Sequence, residues 1–166
     1  MFKRILIANR GEIAVRIIRT CQELGIEAVA IYSNVDSTSL HVQLADHAVC
    51  IGSAKATDSY LNMKNILSAA TALGCDAIHP GFGFLSENST FARLVEECGM
   101  TFIGPSGDII DMMGNKSMAR QKMIEANVPV VPGSDGSVNT LEDARKVAKE
   151  IGFPVLIKAS AGGGGR

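Results

Sequence analysis

The stretch KRILIANRGEIAVRIIRTCQELG, Lys3 to Gly25, joins a short apolar run, a polar turn and an amphipathic segment in immediate succession. The apolar run Ile5 to Ala8 has the length of a buried strand, and the turn Asn9 to Gly11 follows it. From Glu12 to Leu24 apolar residues recur at helical spacing, so a helix is predicted there, and Gly25 ends it. Its predicted core-facing residues are Ile13, Ala14, Ile17, Ile18, Cys21 and Leu24.

The alternation of strand and helix patterns continues to about residue 110. Further short apolar strands are predicted at residues 27–32, 48–52, 76–80 and 100–104. Helices are predicted at 62–73 and again after the glycine and aromatic loop GFGFLSEN, Gly81 to Asn88, whereas residues 34–46 are predicted to be a polar connection. Short apolar strands that alternate with helices favour a mostly parallel sheet covered on both faces. The predicted fold class is therefore α/β, with a doubly wound, Rossmann-like sheet.

A different pattern begins near residue 113. Two helices are predicted at 108–113 and 115–126, and the segment VPVVPGSDGSVN then brings two prolines and several turn residues. Thr140 and Asp143 begin another helix that Gly152 and Pro154 end, and VLIKA, residues 155–159, is predicted to be a strand. These signals predict one domain at 1–113 and the start of a second at 114–166.

Composition and charge exclude several classes of partner. The chain has 16 Lys and Arg against 17 Asp and Glu, a formal charge of -1 and no basic block, so we expect no nucleic-acid partner. No apolar stretch approaches the ~18 residues of a membrane span, and the N-terminal run is too short for a signal peptide. We therefore expect no membrane association and a cytoplasmic location.

The thiols and imidazoles do not form a metal-binding pattern. The four cysteines form no C-x-x-C pair and lie on or beside apolar runs, which predicts buried, reduced thiols: Cys21, Cys50, Cys75 and Cys98. The three histidines share no ligand spacing: His41, His47 and His79. No metal site is expected within this chain.

Two glycine-bearing segments are candidates for a phosphate site. ANRGEIA contains only Gly11 of the G-x-G-x-x-G pattern, so a tight turn is preferred there over dinucleotide binding. KASAGGGGR, Lys158 to Arg166, follows a predicted buried strand, and its lysine precedes the glycines, unlike a Walker A loop. A strand lysine with a glycine loop can cover phosphates with backbone N–H groups, whereas the alternative is a flexible linker. Lys116 begins a predicted helix, a position that favours anions.

Six segments in order resemble one family along the whole chain. They are KRILIANRGEIAVRIIR, AIHPGFGFLSEN, FIGPS, MGNKSMAR, VPGSDG and GFPVLIKASAGGGGR. Together they resemble the N-terminal portion of biotin carboxylase, a member of the ATP-grasp superfamily. The resemblance implies a complete pre-ATP-grasp domain, followed by an ATP-grasp domain that stops within its glycine-rich lid.

The resemblance also implies roles for particular residues. ATP would be bound by Lys116, Lys158, Gly162, Gly163, Gly164, Gly165 and Arg166. The loop on the biotin and carboxyphosphate side would carry His79, Phe82, Gly83 and Glu87; the family usually has Tyr where Phe82 stands, so a hydroxyl contact to biotin is missing. A dimer interface would include Arg16, Arg19 and Glu23, for which a solvated helix face is the alternative.

The reaction implied by the resemblance uses ATP and bicarbonate to carboxylate carrier-bound biotin through carboxyphosphate, as in acetyl-CoA carboxylase of fatty acid biosynthesis. The expected partners are biotin carboxyl carrier protein, carboxyltransferase subunits and a second copy of the chain. Mg²⁺ is expected as well, but its glutamate ligands, the base and the bicarbonate-binding arginine follow the glycine loop in the family. The 166-residue chain alone is therefore expected to be inactive. The alternatives are the head of a pyruvate or propionyl-CoA type carboxylase, or a non-catalytic folding or assembly module.

Overall fold

The computed structural model describes residues 1–134, 136 and 138–157. The chain forms two compact units, Met1–Ile110 and Asp111–Arg166. The domain boundary expected at residues 113 and 114 stays a prediction.

A five-stranded, all-parallel sheet forms the centre of the first unit. Its strands are β1 (Arg4–Ile7), β2 (Glu27–Ser33), β3 (His47–Gly52), β4 (Ala77–His79) and β5 (Thr101–Phe102). They are arranged in the order β3-β2-β1-β4-β5. The order runs outward from β1 in both directions, which confirms the doubly wound α/β fold.

The described part of the chain contains seven α-helices. They are α1 (Gly11–Glu23), α2 (Leu40–Leu44), α3 (Met63–Ala72), α4 (Ser89–Glu97), α5 (Gly107–Gly114), α6 (Lys116–Glu125) and α7 (Leu141–Ile151). Short 3-10 turns span Asn34–Asp36 and Ala56–Asp58.

Successive residues of β1 point to opposite faces of the sheet, and each face has its own apolar core. Ile5 and Ile7 pack in a cluster with residues of α1 such as Ile18. Leu6, fully buried, belongs to a second cluster with residues of α3 and α4, among them Phe91. Because both faces of the strand are covered, the run Ile5 to Ala8 is continuously apolar.

The predicted helices are confirmed, with ends shifted by a residue or so. One core position was wrong: Leu24 is 57% exposed. It follows the last residue of α1, where the chain turns through the left-handed Gly25, so its side chain leaves the apolar stripe.

The polar connection predicted at 34–46 contains structure that the sequence did not indicate. A 3-10 turn and the five-residue helix α2 lie within it. His41 of α2 is fully buried, and its Nε2 donates a hydrogen bond to the carbonyl oxygen of Ile31, 3.2 Å away. This contact fixes α2 against β2.

The prediction of four buried thiols was half wrong. Cys21 and Cys75 are buried, whereas Cys50 and Cys98 are exposed. Cys50 lies on the edge strand β3, and Cys98 directly follows Glu97, the last residue of α4. In both places an apolar run reaches the margin of the core, where one side of the chain faces solvent.

The second unit begins and ends its helices as the sequence predicted. The Asn115 side chain caps α6, and the hydroxyl of Thr140 accepts a hydrogen bond from the Asp143 N–H at the start of α7. The predicted strand VLIKA is not formed at residues 155–157, and Ile157 is 87% exposed. A strand needs a hydrogen-bonding neighbour, and the described residues of this unit include no strand.

Candidate binding edge of the sheet

The carboxyl ends of β1 and β4 lie side by side at the centre of the sheet. From this pair the strand order continues to β2 on one side and to β5 on the other. In open α/β sheets, ligands bind in the crevice at such a switch point. Two segments meet there: Ala8 to Arg10 after β1, and the loop Pro80 to Asn88 after β4, which is called the strap below.

Asn9 joins these two segments. It is 3% exposed, and its Nδ2 donates to the carbonyl oxygens of Pro80 and Phe82, each at 2.8 Å. Its Oδ1 accepts from the Arg10 N–H at 2.9 Å. One buried side-chain amide therefore donates hydrogen bonds to two carbonyl oxygens of the strap, which lie outside the hydrogen-bonded strands of the sheet.

Gly81 lies directly against this amide. A Cβ at Gly81 would be 2.7 Å from the Nδ2 of Asn9 and 2.8 Å from the Cγ2 of Ile13, and its φ of +65° is left-handed. Its N–H donates to the Nδ1 of His79 at 3.0 Å. Because a backbone N–H can only donate, this Nδ1 carries no proton, and burial lowers the pKa of the ring. His79 is thus a neutral imidazole with its proton on Nε2.

The remaining residues predicted for the substrate loop lie on the exposed side of the strap. The Phe82 side chain is 67% exposed. Gly83 is exposed with φ +69°, and a Cβ there would meet nothing within 4 Å. Glu87 is exposed as well. The structure therefore places Phe82, Gly83 and Glu87 on the exposed side of the strap, whereas His79 is the last residue of β4 and is half-buried.

A buried polar network beside the strap was not found by sequence reasoning. The Tyr60 hydroxyl donates to the Asp36 carboxylate at 2.6 Å and accepts from the Ser33 N–H at 2.9 Å. The Ser33 hydroxyl donates to the same carboxylate at 2.7 Å, and Arg10 lies 3.4 Å from it. Burial opposes ionisation of Asp36, but these hydrogen bonds and the charge of Arg10 outweigh it and lower its pKa. Burial and the bond to Asp36 raise the pKa of Tyr60 to about 12.

Lys116 is the first residue of α6 and is exposed. Anions bind helix starts through unpaired N–H groups, but here the Asn115 Oδ1 already accepts from the N–H groups of Ser117 and Met118, each at 3.1 Å. The positive end of the helix dipole remains. An anion at this helix start would therefore be held mainly by the Lys116 ammonium group.

The residues predicted for a dimer interface share one exposed face of α1. Arg16, Arg19 and Glu23 line a shallow cleft of about 680 Å³ between α1 and α2, with Leu40 on the opposite side. Leu40 is 53% exposed. This face presents charged side chains together with the exposed apolar side chain of Leu40.

The remaining predicted ATP residues, Lys158, Gly162, Gly163, Gly164, Gly165 and Arg166, lie outside the described residues. Within the described ranges, no group of three or more His, Cys, Asp or Glu side chains is arranged to hold a metal ion. No helix in those same ranges is long and apolar enough to cross a membrane.

Comparison with known proteins first defines the class. Residues 1–110 match the family model described as biotin carboxylase, N-terminal domain, and residues 115–166 match that described as carbamoyl-phosphate synthase L chain, ATP binding domain. A doubly wound domain followed by this ATP-binding region is typical of ATP-grasp ligases. The first match covers more than half of the chain. The chain therefore belongs to the biotin carboxylase family, as its motifs predicted.

The individual relatives agree with this assignment. Biotin carboxylase 1 of Bacillus subtilis is 60% identical over 166 residues, all of this chain and 37% of that protein. A crystal structure of the dimeric biotin carboxylase domain of Hydrogenobacter thermophilus 2-oxoglutarate carboxylase, with MgADP, ADP and bicarbonate, matches with a TM-score of 0.92 and 57% identity over 100% of this chain and 36% of that one. The biotin carboxylase–β,γ-ATP complex from Campylobacter jejuni matches with a TM-score of 0.94 and 51% identity over 100% of this chain and 37% of that one. The chain thus spans little more than a third of each relative's length.

Proposed function

We propose that this chain provides the biotin-facing and first ATP-contacting elements of a biotin carboxylase. In the proposed reaction, ATP transfers its γ-phosphoryl group to bicarbonate, which gives ADP and carboxyphosphate. Carboxyphosphate then releases phosphate, and its carboxyl group is transferred to N1 of biotin on a carrier protein. The observation that supports this most is the strap, which is held at the switch point of the family's fold.

The exposed side of the strap fits a small bicyclic ligand such as the biotin ring. The Phe82 ring offers an apolar face, and Gly83 offers backbone that no side chain shields. Phe82 has no hydroxyl, so we expect its contact with biotin to be one of packing alone. The His79 imidazole remains neutral behind the strap, because burial lowers its pKa, and its Nδ1 accepts a hydrogen bond from the Gly81 N–H.

We propose that ATP is held through Lys116 together with the KASAGGGGR segment. Phosphoryl transfer depends largely on the positioning of phosphates and the neutralisation of their charge, which lysines from separate elements can supply. When bound, Mg²⁺ would supply positive charge that neutralises the phosphates, and the carboxylates expected to hold it follow the glycine loop in the family. The roles of Lys158, Gly162 to Gly165 and Arg166 rest on the sequence.

The function is tested by joining residues 1–166 to the remainder of the B. subtilis relative, which is 60% identical over this region. We expect the hybrid to release phosphate from ATP only when bicarbonate and biotin are both present. The 166-residue chain alone should show no such activity and serves as the control. A hybrid that folds and binds ATP but releases no phosphate would contradict the proposal and would favour a non-catalytic assembly module.

The role of Lys116 is tested in the same hybrid by Lys116→Met, which keeps the apolar stem and removes the charge. A charge-assisted contact is typically worth ~1.5–3 kcal/mol, so apparent ATP affinity should fall by roughly tenfold to a hundredfold. Lys122→Met is the matched control, because Lys122 lies on the same helix and pairs with Glu125 at 2.7 Å. If both variants bind ATP equally well, Lys116 has no special role.

We also propose that the exposed face of α1 forms a homodimer interface in the complete enzyme, and the H. thermophilus domain was crystallised as a dimer. Reversing two charges with Arg16→Glu and Arg19→Glu should shift the hybrid towards monomer in analytical ultracentrifugation. The control is Lys64→Glu on the exposed side of α3. An unchanged dimer would mean that this face is simply solvated.

The final acceptor is proposed to be acetyl-CoA, with biotin carboxyl carrier protein and carboxyltransferase subunits as partners. The support is the resemblance of the motifs, while the relatives include a 2-oxoglutarate carboxylase small subunit at 57% identity. Co-purification of the native complex, followed by assays with acetyl-CoA, pyruvate and 2-oxoglutarate, identifies the acceptor. The cytoplasmic location stays a prediction.

A further inference from the structure

We propose that Asn9 and Arg10, the two residues that follow β1, are positioning residues for the strap. They hold it at two separate points and thereby fix the segment between those points, Phe82 and Gly83. Neither residue needs to touch a ligand for this role. That the fixed segment faces biotin rests on the function proposed above, whereas the holding itself rests on the structure alone.

The first point is the amide of Asn9. Its two donated bonds reach carbonyls on either side of Gly81, at Pro80 and Phe82. Because Gly81 has no side chain, its backbone lies against the same amide. Asn9 is 3% exposed, so water does not replace these bonds readily. The Phe82 carbonyl, and with it the peptide that links Phe82 to Gly83, is therefore fixed from beneath.

The second point is the ring of Phe84. This residue has a left-handed φ of +41°, which is uncommon for a bulky side chain and persists only where the surroundings impose it. The ring stacks on Tyr60 with centroids 5.1 Å apart. The Arg10 guanidinium lies 5.4 Å from the centroid of Tyr60 and 5.8 Å from that of Phe84. Arg10 thus covers both rings of the stack.

The Asp36 carboxylate orients this second point. It lies 3.4 Å from the Arg10 guanidinium and accepts a hydrogen bond from the Tyr60 hydroxyl at 2.6 Å. The Asp36 carboxylate therefore fixes both the Arg10 guanidinium and the Tyr60 ring, and these two groups hold Phe84. Asn9 and Arg10, which hold these two points, are adjacent in sequence at the end of the central strand, so movement at one residue is transmitted to the other through a single peptide.

Gly83 lies between the two points and has open space around it. Phe82 presents its ring to solvent although its own carbonyl is bonded. A ligand that binds these two residues would meet a segment that is already ordered. Binding would then cost less conformational entropy, which raises affinity without any added contact.

The holding is tested on the 166-residue chain by residue-resolved amide hydrogen exchange. Asn9→Asp places carboxylate oxygens against two carbonyl oxygens, and Arg10→Gln removes the cation over the rings. We expect exchange at the hydrogen-bonded amides of Gly81 and Ser86 to rise by roughly tenfold in each variant, while the β1 amides of Leu6 and Ile7 stay protected.

Two controls make the same chemical changes elsewhere. Asn65→Asp alters another asparagine that donates to a backbone carbonyl, that of Ile51 at 2.9 Å. Arg4→Gln alters an arginine at the opposite end of β1. Neither should change exchange in the strap. Unchanged strap exchange in Asn9→Asp and Arg10→Gln, or an equal rise at Leu6 and Ile7, overturns the proposal. If Asn9→Asp does not fold, Arg10→Gln decides alone.

The functional consequence is measured in the hybrid enzyme. Loosening the strap should raise KM for biotin by roughly tenfold in Arg10→Gln and leave KM for ATP unchanged. Arg10→Lys keeps a cation beside Asp36 and should restore part of the affinity. Equal changes in both KM values would contradict positioning. A wild-type hybrid without activity would refute the proposed function, while the exchange experiment would still decide whether Asn9 and Arg10 hold the strap.

Discussion

The sheet of the first unit carries one polar network at the amino ends of its strands, the amino edge, and another at their carboxyl ends, the carboxyl edge. The two networks are built differently. At the amino edge, Asp76 accepts hydrogen bonds from the backbone N–H groups of Lys3 and Arg4, and Arg4 pairs with Glu27. Asp76 is exposed, and the side chains of Arg4 and Glu27 are 29% and 50% exposed. At the carboxyl edge, Asn9 and Tyr60 are almost fully buried, and their partners are backbone groups and a carboxylate. The amino edge joins strands, whereas the carboxyl edge fixes a loop.

Glycine shows the same contrast. Gly74 at the amino edge has φ +61° and open space where a Cβ would be, because its only task is to end α3. Gly81 at the carboxyl edge is left-handed and also packed against Asn9 and Ile13. A glycine required by two constraints indicates a place where the backbone is held closely, which is what a binding edge needs.

The largest effect is expected from Gly81→Ala. The left-handed backbone costs ~1–2 kcal/mol and overpacking ~1–3 kcal/mol more, so the free energy of unfolding should fall by about 2–5 kcal/mol. Gly74→Ala, with the same backbone conformation but open space, should cost only the ~1–2 kcal/mol of the left-handed backbone. Urea denaturation of both variants measures the difference. Equal losses would mean that the carboxyl edge is no more closely packed than the amino edge.

An intermediate effect is expected from Tyr60→Phe, which removes the hydroxyl shared by Asp36 and Ser33. The bond to a carboxylate is worth ~1.5–3 kcal/mol, and the Ser33 N–H loses its acceptor, so stability should fall by about that amount. Arg4→Gln breaks the pair with Glu27 and a hydrogen bond to the Leu73 carbonyl oxygen, and should cost about 1–2 kcal/mol. Thermal unfolding of the two variants gives the comparison. A larger loss in Arg4→Gln would reverse the ranking of the edges.

The smallest effect is expected from mild acidification, which should weaken the carboxyl edge first. Burial lowers the folded-state pKa of His79 below its ordinary value of 6.5, and that of His41 shifts in the same direction. The unfolded chain therefore takes up protons first, and the stability present above pH 6.5 declines as the pH falls through the folded-state pKa. Hydrogen bonds from the Lys3 and Arg4 N–H groups lower the pKa of Asp76, so the amino edge weakens only below about pH 3.8.

The measurement is the urea midpoint at pH 7.5, 6.5 and 5.5 for the parent chain and for His79→Gln. The free energy of unfolding of the variant should fall less over this pH range than that of the parent. Protonation of His41 accounts for the loss that the variant still shows. Parallel curves for the two proteins would show that His79 is not shielded from protons at the carboxyl edge.

Most of the fold could be predicted because its signals are local. The run Ile5 to Ala8 and the helical spacing after Glu12 identify a strand and a helix without any knowledge of distant residues. The helix α2 could not be found in this way, because its five residues are too few to show a period. The predictions that Leu24 and Cys98 are buried were wrong for a related reason. In each case the apolar periodicity of the sequence continues one residue beyond the last residue of the helix.

The candidate site could be predicted only in part. HPGFGFLSEN identified the strap through its motif, and the structure places those residues on one segment. Asn9 and Arg10 appeared to be turn residues, because their partners lie far away in sequence. Arg10 meets Tyr60 and Phe84 only after the sheet is assembled. Nothing in the neighbouring sequence indicates such contacts for a single residue of a common type. In the same way, the sequence of α6 did not indicate that the Asn115 side chain accepts hydrogen bonds from the first N–H groups of the helix.

The order of the strands also has a consequence for how the chain folds. The bonds from Asn9 to Pro80 and Phe82 join residues 71 and 73 positions apart, and β1 pairs with β4 only after β2, β3 and their helices have been added. Contacts of such long range slow folding, because a large loop must close before they form. Until β4 arrives, the side of β1 that faces away from β2 presents unpaired backbone N–H and C=O groups. During synthesis this nascent strand edge is therefore exposed to aggregation.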